Sequence, residues 1–151
     1  MGVSGAGKSA VGARLAQALG ARFVEGDDLH PPANRAKMAS GTPLTDADRW
    51  PWLDLVGEAL REPSVVAACS ALRRAYRDRL RAHAPGLVAV HLVASEEVLA
   101  ERMTRRRGHF MPPALLQSQL ATLEPLLPDE RGFAVEAASP EAAVAEALAR
   151  L

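Results

Sequence analysis

At 151 residues, 48% hydrophobic and 24% charged, the chain is long enough for one globular domain and short for two. Its 18 Lys and Arg balance 18 Asp and Glu, which argues against nucleic acid as a partner and leaves small molecules as the expected ligands. The single cysteine, Cys69, excludes an intramolecular disulfide, and no run of about 18 apolar residues or signal-peptide core is present, so the expectation is a cytoplasmic protein with no membrane partner.

The chain opens on MGVSGAGKS, which fits G-x-x-x-x-G-K-S with Gly2, Gly7, Lys8 and Ser9 in the fixed places. Backbone amides across Gly2, Val3, Ser4, Gly5, Ala6, Gly7, Lys8 and Ser9 can turn inward around an oligophosphate. The glycines permit the turn and the close approach, Lys8 reaches the β- and γ-phosphates, and the Ser9 hydroxyl can ligate Mg²⁺. A Gly/Ser-rich, unstructured start is the competing reading; against it, apolar Val11, Leu15, Ala18 and Leu19 recur at helical spacing from Ser9, with Gly20 where a C-cap belongs. Such a helix points its positive dipole end at the phosphates.

Strands are predicted over 22–25, 64–69, 87–93 and, weakly, 133–136, and helices over 46–62, 71–83, 96–107, 113–124 and 140–150. Continuous apolar runs alternating with helical patterns predict one three-layer α/β domain over 1–151, a central parallel sheet with flanking helices and right-handed crossovers. The strand leading into a phosphate loop is normally central and needs about 5 or 6 residues. Only Met1 to Val3 are available here. Without that strand its neighbours stand about 10 Å apart, twice the hydrogen-bonded spacing. The first strand is therefore expected to be missing or truncated, because the chain starts late or upstream residues were trimmed, and the lost pairing should be visible in the sheet.

Neither N-K-x-D nor an Asp closing VVAACS is present, which counts against a GTPase. The acids lie instead in VEGDD, after the first available strand, where the C-terminal ends of parallel strands form a ligand crevice. Asp27 is the candidate to orient an acceptor hydroxyl and accept its proton, and Glu25 to help hold Mg²⁺ through water. A plain acid-rich turn is the alternative.

Three blocks, GDDLHPPANRAKMASGTPLTDADRWPWL, CSALRRAYRDRLR and RRRGHFMPPALLQSQLATLEPL, resemble the gluconate kinase family of small P-loop kinases, with the match running from Met1 to about Glu130. The resemblance implies a P-loop kinase fold, phosphorylation of D-gluconate by MgATP, and a homodimer. Two departures stand out: the absent first strand, and a connection between GEALRE and PSVVAACS shorter than the family's usual one.

Arg73 and Arg77, four apart on the predicted helix, would repel by a few tenths of a kcal/mol unless an anion such as a substrate carboxylate sits between them. A solvated basic face is the alternative, better suited to Arg74, Arg79 and Arg81. Arg102 and Arg106 match the family's arginine positions in a lid segment over about 102–112 that closes on ATP and stabilises charge on the γ-phosphoryl group; Arg105 and Arg107 suit solvent. His109 is a candidate for seating substrate or lid, with a structural role as alternative. Arg49 could pair with the gluconate carboxylate, while His30, Asn34 and Lys37 are polyol contacts chiefly by resemblance. Trp50 and Trp52 read as core or rim, and Cys69 as buried and inert. Adenine contacts are expected after LEPLLPDERG, with no residue assigned. The rival functions are a kinase of another small acceptor, such as shikimate or a nucleoside monophosphate, and a non-catalytic nucleotide-binding module, which would need neither Asp27 nor the lid.

Overall fold

The computed structural model describes the backbone of residues 1–105 and 113–151, and the side chains of residues 1–104 and 116–151. Helix α1 (Lys8–Leu19) runs from the phosphate loop and ends at Gly20, whose φ of 63° lets its amide bond back to Gln17 while the Ala21 amide reaches Ala16. Strand β1 (Arg22–Glu25) leads into a 3-10 turn at Gly26–Leu29. Helix α2 (Pro32–Ala39), absent from the sequence reading, starts with proline in its first turn, where the missing N–H costs nothing. Helix α3 (Asp46–Ala59) opens on a reciprocal cap. The Asp48 amide donates to the Thr45 hydroxyl at 3.3 Å, and the Thr45 amide to the Asp48 carboxylate at 2.9 Å. Pro51 lies within this helix and not at its start.

Strand β2 (Val65–Ala68) is followed by an extended stretch, so α4 (Arg74–His83) begins three residues later than predicted, with Ala71 at a φ of 42°. Then come β3 (Ala89–Val93), α5 (Glu96–Arg105), α6 (Pro113–Thr122), β4 (Gly132–Glu136) and α7 (Pro140–Arg150), the last capped by the Ser139 hydroxyl. Parallel strands and flanking helices agree with the sequence reading.

The strands form two parallel pairs, not one continuous sheet. β1 pairs with β2, from Arg22 opposite Val65 to Glu25 opposite Ala68, and β3 with β4, from Ala89 opposite Gly132 to Val93 opposite Glu136. Only a stub bridges them: the Met1 amine donates to Val90 O, the Leu92 amide to Met1 O, and the Gly2 amide to Ser70 O. Between β2 and β3 lies a cavity of about 600 Å³, walled by α1 residues Val11 and Leu15, by β2, and by Leu80 of α4. The expected loss of central pairing is thus present.

Two apolar clusters flank this gap. One joins Val11 and Leu15 of α1, Leu92 and Val135 of the second strand pair, and Ala143 and Ala147 of α7. The other packs Trp52, Leu53 and Val56 of α3 against Tyr76 and Leu80 of α4. They hold the phosphate loop on one side and the 26–29 turn on the other, so that the site's parts sit on separate rigid supports.

Candidate active site

The loop Gly2–Ser9 carries positive φ at Gly2 (138°), Gly5 (83°) and Gly7 (91°). Gly7 is the N-cap of α1 and offers no side chain, so the first-turn amides, Ser9 and Ala10 among them, have no intrahelical acceptor. A Cβ at Gly7 would meet no atom of the described residues within 4 Å. Open space beside acceptor-seeking amides is what an anionic phosphate requires. Lys8 Nζ donates to Val3 O at 3.0 Å, which keeps the ammonium folded against the loop.

Asp27 sits on the 3-10 turn where β1 ends, with its side chain exposed. Two contacts position that turn. Trp52 Nε1 donates to Gly26 O at 2.7 Å, and a Cβ on Gly26 would stand 2.4 Å from Ala68 O at the end of β2. Gly26→Ala must therefore displace the turn or the strand: we expect a loss of about 1–3 kcal/mol in chemical denaturation together with impaired turnover. Wild-type activity in this variant would mean that the turn's position is not critical. Burial pushes the Cys69 thiol, just past the end of β2, up to about 11, which keeps it inert.

Behind Asp27, His30 is buried and stacks on Trp52 with ring centroids 4.1 Å apart. Burial lowers its pKa, so the ring is neutral near pH 7. Asn34 Nδ2 donates to His30 Nδ1 at 3.3 Å, which leaves the proton on Nε2, and also to Asp48 O at 2.8 Å. Lys37 does not stand open for a sugar hydroxyl. It donates to both Asp48 oxygens at 2.7 and 2.8 Å, ties α2 to α3, and with Thr45 draws the Asp48 carboxyl down to about 2. Glu25, half-buried, ends β1, and Ser9 lies in the first turn of α1.

Arg49 and Arg73 share one counter-ion. Arg73 donates to Asp46 at 3.0 Å, Arg49 lies 3.6 Å from the same carboxylate and donates to the Tyr76 hydroxyl at 3.2 Å, and Tyr76 donates to Asp46 at 2.5 Å. Burial and the Asp46 bond raise the Tyr76 pKa, so the phenol remains a donor. Two guanidiniums against one carboxylate leave a net positive, part-exposed corner. Arg77 is a correction to the sequence reading. Because Arg73 is the extended N-cap of α4 and not a helical residue, the two arginines diverge: Arg77, 1% exposed, donates to Glu130 at 2.6 and 2.7 Å and to the carbonyls of Ala71, Leu72, Glu124 and Pro125. With its donors spent in the core, it has none for a ligand.

Arg102 is likewise placed differently from expectation. It donates to the carbonyls of Ala137 and Ala138 at 2.5 and 3.1 Å and, with Gly7, Val11, Ser139 and Pro140, lines a small groove of about 170 Å³ at the foot of the phosphate loop. That groove lies after LEPLLPDERG, where adenine contacts are expected. Gln119 is a site residue that the sequence reading missed: its side-chain carbonyl accepts the Ser4 amide at 2.7 Å and so braces the loop from α6. Its presence in the third resembling block was the available signal. Arg106 and His109 lie outside the described residues. Among the described residues no three His, Cys, Asp or Glu side chains converge as a metal cluster. A Mg²⁺ ion held by Ser9 and Glu25 would therefore take most ligands from phosphate and water, as Mg²⁺ commonly does.

Comparison with known proteins identifies the family. An AAA domain family model matches residues 1–126. The gluconokinase of Gluconobacter oxydans (strain 621H) is 55% identical over 129 residues, covering 82% of this chain and 72% of that protein. The crystal structure of a gluconokinase from Sinorhizobium meliloti 1021 superposes with a TM-score of 0.91 at 57% identity, over 99% of this chain and 87% of that one. APS kinase from Mycobacterium tuberculosis, solved with AMPPNP and APS, shares the fold at a TM-score of 0.70 and 16% identity, over 99% of this chain and 92% of that one. With a phosphate loop ahead of α1 and an acid-bearing turn after β1, the identity to these gluconokinases over most of the chain places the protein in the gluconokinase family.

Proposed function

We propose that this protein transfers the γ-phosphoryl group of ATP to a hydroxyl of D-gluconate, giving 6-phospho-D-gluconate and ADP. The observation that carries the reading is a chain 55% identical to a gluconokinase that bears both a glycine loop ahead of α1 and an exposed Asp27 on the turn after β1. The loop amides and Lys8 hold the β- and γ-phosphates, Lys8 exchanging Val3 O for phosphate oxygen. Asp27 orients the acceptor hydroxyl and takes its proton as the new O–P bond forms and the bond to the β,γ-bridging oxygen breaks. Mg²⁺ accompanying the nucleotide neutralises phosphate charge, with Ser9 and Glu25 as the residues to hold it.

Arg49 and Arg73 are proposed to receive the gluconate carboxylate by exchanging part of their contact with Asp46. Neutral His30 supports the polyol side through Nε2–H, and Lys37 acts indirectly by fixing α2 on α3. The groove beside Arg102 is the proposed adenine seat, with Arg106 and His109 as proposed lid contacts. Family resemblance supports a homodimer in the cytoplasm. Among the described residues no helix is long and apolar enough to cross a membrane.

A coupled ADP-release assay with gluconate, shikimate and AMP offered separately tests the reading. Turnover with gluconate alone is expected. Stimulation by shikimate or AMP and not by gluconate would remove the substrate assignment, and tight ATP binding without turnover would favour a regulatory module. In the same assay Arg73→Ala should raise KM for gluconate about tenfold or more while KM for ATP stays within about twofold, since a charge-assisted pair contributes roughly 1.5–3 kcal/mol. An unchanged gluconate KM would release Arg73 from the carboxylate.

A further inference from the structure

The stretch that joins β2 to α4 departs from regular geometry at two places. Ala71 sits at a φ of 42°, a region that few residues with a side chain adopt, and Arg73 is extended, with φ −102° and ψ 152°. Arg73 is also the N-cap of α4, since the Tyr76 and Arg77 amides both donate to its carbonyl, at 3.1 and 3.2 Å. A guanidinium has no acceptor to offer a first-turn amide, and the Arg73 side chain makes no cap bond. The Arg74 amide is thus one of the donors that a helix N-terminus leaves without an intrahelical partner.

That partner comes from 50 residues further along the chain. The Arg74 amide donates to Glu124 Oε2 at 2.6 Å, and a carboxylate there also suits the positive dipole end of α4. The main chain of Glu124 grips the same entry: its amide donates to Leu72 O at 2.8 Å, and its carbonyl accepts from Arg77 Nη1 at 3.0 Å. Glu124 therefore holds both the residue before Arg73 and the residue after it, which fixes Arg73 extended between them. A conformation of this kind persists where its surroundings over-determine it. From it the guanidinium donates to Asp46 at 3.0 Å and lies over the Tyr76 ring, 5.9 Å from the centroid. The Arg74 side chain is engaged separately, with Asp78 and Asp129, and Arg77 reaches Leu72 O from the core side; neither meets the Arg74 amide.

We propose that Glu124 is a positioning residue for acceptor recognition: its carboxylate caps α4 at the Arg74 amide, sets the direction of Arg73, and so tunes the affinity for the acceptor's carboxylate. It acts through Arg73 and not by contact with the acceptor. The inference rests on the proposed role of Arg73 towards gluconate and adds to it the residue, from the segment after α6, that makes Arg73 available.

The test compares, in the full chain, Glu124→Ala, Glu124→Gln, Arg73→Ala and the double variant Arg73→Ala with Glu124→Ala. Glu124→Ala should raise KM for gluconate about three- to tenfold, with KM for ATP and kcat within about twofold of wild type. In Glu124→Gln a side-chain carbonyl still accepts from the Arg74 amide, so gluconate KM should stay within about twofold. Added to Arg73→Ala, Glu124→Ala should change gluconate KM less than about twofold, because its route to the substrate is already gone. Amide exchange at Arg74, measured without substrate, should be about tenfold faster or more in Glu124→Ala and near wild type in Glu124→Gln. A lowered melting temperature with unchanged gluconate KM in Glu124→Ala would leave Glu124 a structural cap and overturn the proposal. So would Glu124→Gln as impaired as Glu124→Ala, or a further rise in KM of about threefold or more in the double variant. If Arg73→Ala itself leaves gluconate KM unchanged, the carboxylate assignment falls and the proposal with it; if Arg73→Ala raises KM and Glu124→Ala does not, only the role of Glu124 falls.

Discussion

Asp27→Asn is expected to fold normally, bind ATP with near-wild-type affinity, and lose about 10² to 10⁴ in kcat. Asparagine keeps the size and the turn-forming habit of aspartate, and the turn is held by contacts that do not involve the Asp27 carboxylate: the Trp52 bond to Gly26 and the tight approach of Gly26 to Ala68. What it removes is the acceptor for the hydroxyl proton. Stopped assays with gluconate, beside a calorimetric ATP titration, check both halves. A kcat within threefold of wild type would remove Asp27 from the reaction, and loss of ATP binding would mean that the substitution had disturbed the loop. Lys8→Ala should behave oppositely in binding, weakening ATP as well as turnover, because its ammonium meets phosphate in ground and transition states alike.

Arg77→Ala is expected to cost about 3–5 kcal/mol of stability, a fall in melting temperature of about 10 °C, because it strands the Glu130 carboxylate without its main partner in a buried setting. Glu130 is fully enclosed, and the hydrogen bonds of Arg77, ahead of those from Arg81 and the Leu127 amide, hold its pKa at about 2. The sign of the pH dependence follows. A folded-state pKa below the ordinary 4.5 gives stability that is complete above about pH 4.5 and lost as pH falls through about 2. In Arg77→Ala that acid-side slope should shrink, leaving the part due to Arg81. Gluconate KM in the fraction that remains folded should stay within about twofold of wild type, in contrast with Arg73→Ala. A large KM change in Arg77→Ala without loss of stability would return Arg77 to the substrate corner.

The contrast between these two arginines shows how far the sequence could be read. RRAY offers two cations four residues apart, and helical periodicity places them on one face. The chain instead stays extended through Leu72 and Arg73, with Ala71 at positive φ, so one guanidinium points to Asp46 and the other into the core. A backbone departure of three residues, driven by packing between α4 and the 124–131 segment, is invisible to a pattern that assumes a regular helix. Lys37 and Arg102 repeat the lesson. Each carries the charge a ligand site calls for, yet each is first met by a protein acceptor, Asp48 or the 137–138 carbonyls, that only the fold brings near.

The sequence by itself determined the features whose cause is local. Glycine spacing in the first nine residues dictates a phosphate-gripping loop, because few residues other than glycine tolerate its angles. Thr45 and Asp48, Ser139 and Pro140, and Gly20 mark helix ends through bonds spanning three or four residues. Tertiary structure alone decided which charged groups reach the crevice and which are consumed in holding it together. That choice depends on contacts across 27 residues for Arg73 and Asp46 and 53 for Arg77 and Glu130, where no local preference acts and only the closeness of an opposite charge in a nearly dry setting counts.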